Sequence, residues 1–319
     1  MATAIPGPKF GLNRLRDRSS SRLMNRRHFL GCSSLALASY AVPAVAVGTA
    51  PTGARPRAVF TKTLEGLTAD DLGKRVAALG VKGIEAPIRA GGHIEPKAAP
   101  ERLAAFVEGL KKHGVTIDIL TSDIGQADKT GETLLRTAAA LGIKRYRLVH
   151  YRYDLKKPVA PQLADVKAKL KDLAAMNREL GVQGQYQNHR GNNYVGGPIW
   201  DMVSALEGID VADLGLAFDF AHATVEGSNT WELNLRRAAP HIAAVYFKDY
   251  RLNGRQWEAC PLGEGIVNPK AGALVKQLLP AGTPVSLHVE YVGGSGEERV
   301  ATTFAAMKAD LATLEKWLP

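Results

Sequence analysis

A recurring phrase constrains this chain more than any other feature. "LGVKGIE", "HGVTIDI", "LGIKRYR" and "LGVQGQY" each close an amphipathic stretch with a glycine and open a short apolar or β-branched run. Glycine ends a helix well because it adopts the left-handed backbone of a helix terminus without a steric cost. Parallel strands need a crossover between them, so a chain that repeats helix, glycine and strand must lay strands side by side with helices outside. Eight runs read as strands: 58–62, 83–88, 115–120, 145–150, 182–188, 214–220, 241–247 and 285–290. Apolar residues at three- and four-residue spacing predict helices over 69–79, 101–112, 132–141, 162–180, 199–207, 231–238, 270–279 and 298–317. Thr68 with Asp71 three residues on predicts a cap for the first helix. Eight β/α units in roughly 260 residues predict an α/β fold, a (β/α)8 TIM barrel occupying 57–319. A doubly wound sheet is the alternative. It wants a glycine-rich dinucleotide turn after the first strand, and "FTKTLEGLT" is not one.

The segment before the barrel has a different character. "NRRHFL" at 25–30 is a twin-arginine pattern, the apolar run "LALASYAVPAVAV" follows, and Ala44-Val45-Ala46 offers a small-x-small cleavage site. Residues 1–46 therefore read as a twin-arginine signal segment with its true start at Met24, and 47–56 as a linker. Export to the periplasm through the twin-arginine machinery is the expectation, with no membrane attachment once the segment is removed. The alternative is an uncleaved N-terminal anchor. Cys32 precedes most of the apolar run, which argues against a lipid attachment site. Of the 41 Lys and Arg against 31 Asp and Glu, residues 1–46 carry seven against one, so the net charge falls from +10 to +4 without them. No basic run with interleaved aromatics remains, which argues against a nucleic-acid partner. Cys260 is left alone in the barrel, which excludes an internal disulfide and a cysteine-rich metal site.

A TIM barrel keeps its chemistry at the C-terminal strand ends, where alternate residues point inward. Read by that alternation, strand two offers Glu85 and then Arg89, strand four His150, and strand five Gln185, Gln187 and His189. Strand six offers Asp219 with His222 just beyond, strand seven Tyr246 and Lys248, and strand eight His288 and Glu290. Glu85 can equally pair with Arg89 or another cation, and His150 and His189 can be local hydrogen-bonders. Asp219 and Glu290 differ, because a carboxylate inside an apolar strand is costly unless a metal, cation or substrate satisfies it. Lys248 is a candidate for that structural partner. The long stretch after strand seven, "DYRLNGRQWEACPLGEG", reads as a lid loop whose Trp257 can stack on a sugar ring or cover the barrel rim. Trp200 and Trp231 at helix starts read as packing residues.

"FDFAHATVEG", "HIAAVYFKDY", "PLGEGIV" and "LHVEY" together resemble the sugar phosphate isomerase/epimerase family with its xylose isomerase-like barrel, from about residue 57 to the C-terminus. The resemblance implies one divalent ion held by a Glu on strand five, an Asp on strand six, a His on strand seven and a Glu on strand eight. It also implies that the two Glu residues move the proton. By position these fall on Gln187, Asp219, Tyr246 and Glu290, so two of the four ligands are changed. Gln187 ligates only through a neutral carbonyl and cannot take a proton. Tyr246 is a poor ligand unless ionised. A site of Asp219, Glu290 and neutral oxygens would take Mn, Mg or Ca, more weakly than the family's set does. The other possibility is that no metal binds, that Lys248 supplies the positive charge, and that His288 acts as acid or base beside Glu290.

Three functions follow. The first is an enzyme acting on a non-phosphorylated sugar or keto-sugar by proton transfer α to a carbonyl, as isomerase, epimerase or lyase. In it Glu290 is the base, His288, Lys248 or His222 steady the oxyanion, and Gln187, His189, Glu85, Arg89, His150 and Trp257 bind substrate. The second is a barrel that has lost catalysis and binds a carbohydrate. The third, a DNA-repair endonuclease of the same superfamily with a multi-zinc cluster, needs more His and carboxylate ligands than the strand ends supply.

Overall fold

The computed structural model describes residues 55–319, and the twin-arginine segment, the Met24 start and most of the linker lie outside them. The first expected run becomes β1 (Arg57–Phe60), and Thr68 caps α1 (Ala69–Ala78) by accepting from the Asp71 backbone N–H at 3.1 Å. The chain continues through β2 (Gly83–Pro87), α2 (Ala99–Lys111), β3 (Thr116–Thr121) and α3 (Lys129–Ala140). Then come β4 (Arg145–Arg147), α4 (Val159–Leu180), β5 (Gln183–Gln187), α5 (Ile199–Leu206) and β6 (Leu214–Asp219). The second half adds α6 (Phe220–Gly227), α7 (Trp231–Ala238) and β7 (Ile242–Phe247). A hairpin of β8 (Asp249–Asn253) and β9 (Gln256–Cys260) follows, then α8 (Lys270–Leu278), β10 (Val285–Leu287) and α9 (Gly296–Trp317).

Eight parallel strands close in the order β1, β10, β7, β6, β5, β4, β3, β2. All eight expected strands are present, so the (β/α)8 barrel read from the sequence is the fold. Gly181, at φ +64°, ends α4 in the left-handed conformation that the recurring helix-glycine phrase predicts. Two elements differ from expectation. The helix α6 follows β6 directly, because the Asp219 carboxylate caps it by accepting from the His222 backbone N–H at 3.0 Å. The stretch after β7 is an antiparallel hairpin rather than a loop, with Leu252 paired to Trp257.

The apolar core has two parts. The large one fills the space between strands and helices, and includes Val59, Leu103, Leu173, Phe218 and Phe247. The small one, Ile119, Ala217, Ala244 and Tyr246, is a separate cluster within the barrel. Alternation along the same strands then carries Thr121, Asp219 and Lys248 inward one layer above it.

Candidate active site

Two buried carboxylates organise the barrel mouth. Glu85, in the middle of β2, is fully buried and accepts from Thr121 Oγ1 at 2.7 Å and Ser286 Oγ at 2.7 Å. It also meets His288 Nε2 at 2.8 Å and Arg147 Nε at 3.0 Å. Burial alone would raise its carboxyl, but the charges of His288 and Arg147 outweigh that and bring it to about 2. His288 lies between Phe60 and Tyr246, with ring centroids 4.5 and 4.6 Å away. With Nε2 on Glu85, the ring's Nδ1 has no hydrogen-bond partner among the described residues.

The second carboxylate, Asp219, is fully buried at the end of β6. Its Oδ1 caps α6, while Oδ2 accepts from Gln187 Nε2 at 2.7 Å and lies 3.2 Å from Lys248 Nζ. The Asn188 side chain clamps the Asp219 backbone, donating to its carbonyl at 3.1 Å and accepting from its N–H at 2.7 Å. The Lys248 ammonium also reaches Glu290 Oε2 at 3.0 Å, and the other Glu290 oxygen meets Lys62 Nζ at 2.9 Å. Burial would lower the Lys248 ammonium, but Asp219 and Glu290 outweigh it and raise it. Burial would likewise raise Glu290, and Lys248, His288 and Lys62 hold it well below the usual carboxylate range. Both members of that pair stay charged.

These residues do not fit a divalent ion. A cation between Asp219 and Glu290 would have to occupy the place of the Lys248 ammonium. The Gln187 carbonyl oxygen, the expected neutral ligand, accepts from Arg147 Nη1 instead. The Tyr246 hydroxyl is buried without a partner, and burial, with the Glu85 charge adding to it, pushes its pKa well above the ordinary phenol value, so it offers no phenolate. Among the described residues no group of three or more His, Cys, Asp or Glu converges as metal ligands.

A third wall is histidine-rich. The His189 ring lies 4.7 Å from His150 and 4.0 Å from His222 by centroids. Burial brings His189 down to about 4, with Lys248 also lowering it. Burial and then the Arg147 charge keep His150 well below its ordinary value, and burial and then Lys248 do the same for His222. All three are neutral near pH 7.

The walls enclose a cavity of about 80 Å³ lined by Phe60, Lys62, Arg89, Arg147, His150, Gln187, His189, Lys248, His288 and Glu290. Seven of the sequence candidates thus meet there: Arg89, His150, Gln187, His189, Lys248, His288 and Glu290. Four do not. Glu85 and Asp219 stand behind the lining, saturated by their own partners. His222 is buried behind His189, its ring centroid 4.0 Å from that of His189, and does not line the cavity. Trp257 packs against the apolar core from β9. The sequence reading missed Phe60, Lys62 and Arg147. Arg147 carried a usable signal, since a buried arginine at a strand end demands a partner just as Asp219 does.

The hairpin is buckled to the barrel by Asp249. Its carboxylate accepts from the backbone N–H of Tyr250, Gly263, Gly265 and Val267, at 2.9 to 3.1 Å. Gly265 is needed there, because a Cβ would sit 2.2 Å from the Tyr250 carbonyl oxygen and 2.4 Å from the Asp249 carboxylate. Asp249 of "HIAAVYFKDY" and the two glycines of "PLGEGIV" are therefore one structural device.

Solved structures of the same fold cover nearly all of their own length with this chain. D-allulose 3-epimerase from Methylomonas sp. aligns at 14% identity and a TM-score of 0.63, over 85% of this chain and 100% of its own. 3-Keto-D-glucoside 4-epimerase from E. coli aligns at 13% identity and 0.61, over 82% and 99%. The probable 3-DHS dehydratase of petrobactin synthesis from Bacillus anthracis aligns at 14% identity and 0.61, over 81% and 98%. At these identities the likeness establishes the fold alone. No curated protein matches the chain in sequence. The sequence profile described as xylose isomerase-like TIM barrel matches residues 74–311, and the chain belongs to that family.

Proposed function

We propose that this barrel is an isomerase or epimerase acting on a non-phosphorylated sugar or keto-sugar by proton transfer α to a carbonyl, with Lys248 as its resident cation. The observation that carries the reading is the arrangement around His288. Its Nε2 is fixed by Glu85, its Nδ1 is free, and it shares one small cavity with Glu290, Lys248 and Arg147. One of the two groups, His288 or Glu290, takes the proton from the carbon beside the carbonyl. The C–H electron pair moves into the new C=C bond and the carbonyl pair onto oxygen, giving an enediolate. Lys248 and Arg147, both buried, stabilise the developing oxyanion. The other group, protonated from solvent before the step, returns that proton to the opposite face, giving the epimer, or to the neighbouring carbon while the hydroxyl proton passes between the two oxygens, giving the isomer. The fold neighbours include two sugar epimerases, which supports a sugar substrate. The twin-arginine pattern supports an exported enzyme, and phosphorylated sugars are mainly cytoplasmic.

The test is deuterium incorporation from heavy water into D-fructose, D-psicose and 3-keto-D-glucose, with the protein treated with a chelator. Exchange that survives chelation and disappears in both His288→Asn and Glu290→Gln is the expected result. Exchange that needs added Mn or Mg overturns the role of Lys248. A second reading, a carbohydrate-binding barrel without a reaction, is supported by the neutral Gln187 in place of a proton-carrying Glu. It predicts binding of these sugars with no exchange at all.

A further inference from the structure

The charge on the cavity wall is not balanced. Four cations line it, Lys62, Arg89, Arg147 and Lys248, against one lining carboxylate, Glu290. Behind the lining, Glu85 neutralises Arg147 and Asp219 neutralises Lys248, and Glu290 faces Lys62. Histidines aside, these four cations and three carboxylates leave one positive charge over.

The geometry places that charge on Arg89. It follows β2 at the mouth, half-buried, and among the described residues its guanidinium takes part in no ion pair and no side-chain hydrogen bond. Burial depresses its pKa and the nearby Arg147 charge depresses it further, against weaker support from Asp123, Glu85 and Glu65. Asp123, the nearest of these carboxylates by its effect, already accepts from the Ala90 N–H at 2.8 Å. Across the cavity, Arg147 uses Nε for Glu85 and Nη1 for Gln187, and its Nη2 has no partner among the described residues. Two guanidiniums with free N–H groups on adjoining walls of a small polar cavity are costly unless an anion lies between them.

We infer that the substrate carries a carboxylate, held by Arg89 and the free edge of Arg147, so that the site takes a sugar acid rather than a neutral sugar. A guanidinium fork matches a carboxylate or a phosphate equally well in geometry. The cavity, at about 80 Å³, favours the smaller, planar group. The inference rests on this cavity being the substrate site of the proposed isomerase. A carboxylate also suits that chemistry, because it anchors one end of the chain and leaves the carbonyl end for His288 and Glu290.

The test is calorimetric titration of the purified protein, and of Arg89→Gln and Arg89→Lys, with D-glucuronate, D-galacturonate, D-gluconate and L-tartrate. D-Glucose, D-galactose and glucose 6-phosphate serve as the comparison set. The expected result is that at least one acid binds about tenfold or more tighter than its neutral counterpart. That preference is lost in Arg89→Gln and partly kept in Arg89→Lys, which retains charge without the fork. It also shrinks as salt is raised. Three results overturn the inference: no acid binding at millimolar concentration, equal affinity for acid and neutral sugar, or tighter binding of the phosphate. Deuterium exchange on the same ligands separates the two readings. An acid that binds through Arg89 without exchange leaves the substrate class standing and removes the isomerase. Exchange on neutral sugars that Arg89→Gln leaves unchanged does the reverse.

Discussion

The mouth of this barrel holds two buried carboxylate–cation pairs, and they do different things. Asp219 with Lys248 is closed: one oxygen caps α6, the other takes Gln187 and Lys248, and nothing on that carboxylate is left to meet a ligand. Glu85 with Arg147 is open: it has four donors to the three of Asp219, and two of them, His288 and Arg147, show a free nitrogen to the cavity. A buried carboxylate can thus serve as scaffold or as a relay to the reactant, and what separates the two is the unused valence of its partners. Of the positions that the family resemblance marks for a metal, Asp219 and Gln187 lie on the closed side, and there Lys248 pairs with Asp219.

The largest effect should come from the open side. His288→Asn is expected to lower deuterium exchange by about 10²–10⁴-fold, the usual worth of a positioned acid or base. Its thermal midpoint should stay near that of the wild type. A variant that is unfolded, or fully active, breaks the distinction between relay and scaffold. Glu85→Ala should cost about 3–5 kcal/mol in chemical denaturation, because it leaves Arg147 buried and unpaired. A loss below about 1 kcal/mol would mean that Arg147 reaches water and that the pair is not buried in effect.

Acid sharpens the same contrast. Glu85 is held at about 2, below the ordinary carboxylate value of 4.5, so the unfolded chain takes up that proton first as pH falls. Its stabilisation is present above about pH 4.5 and is lost on the way down to about 2, an effect on the order of 3 kcal/mol. His189 is depressed from 6.5 to about 4, so its stabilisation is lost over that higher window as pH falls. Denaturation midpoints should therefore fall in two stages, with Glu85→Gln reducing the lower and His189→Asn reducing its share of the upper, to which His150 and His222 also contribute. A single stage unaffected by either change would remove both assignments.

Lys248→Ala tests the closed side. Calorimetry with Mn²⁺ should detect binding in the variant at concentrations where the wild type shows none, a gain of about tenfold or more. Equal binding by both proteins would show that Lys248 does not stand in the cation's place. The smallest effect belongs to Trp257→Ala. Its ring packs on the core and not on the cavity, so kcat/KM should change by less than about threefold. A larger drop would return the hairpin to the role of a lid.

The barrel was legible because its period is strong: a glycine closes helix after helix, and each following run is short and apolar. The site was most legible where alternation carried to the strand end or one residue past it. On β6 and β7 it does, and Asp219 and Lys248 were found. On β4 the strand stops at Arg147, three residues before the run read from sequence, so alternation counted from His150 put Arg147 on the wrong face. Lys62 lies beyond the last residue of β1, where a lysine reads as ordinary solvent-facing charge. Glu85 was found but misplaced, since its four partners come from β3, β4 and the chain around β10, and no local pattern reports them. The hairpin was missed because its strands are exposed only beside the turn, at 251–253 and 256, and lack the alternation of a half-buried sheet.

The Asp249 buckle has a consequence for how such a barrel can change. By gathering the backbone of residues 250 to 267 onto one carboxylate, it makes everything between a cassette whose two ends are fixed independently of its contents. Lengthening a loop between fixed ends costs only about 0.6 kcal/mol per doubling. The rim above Lys248 can therefore be rewritten, residue by residue or wholesale, while the lysine one position before the buckle keeps its place. Specificity at the mouth and chemistry at the floor are free to evolve on separate schedules.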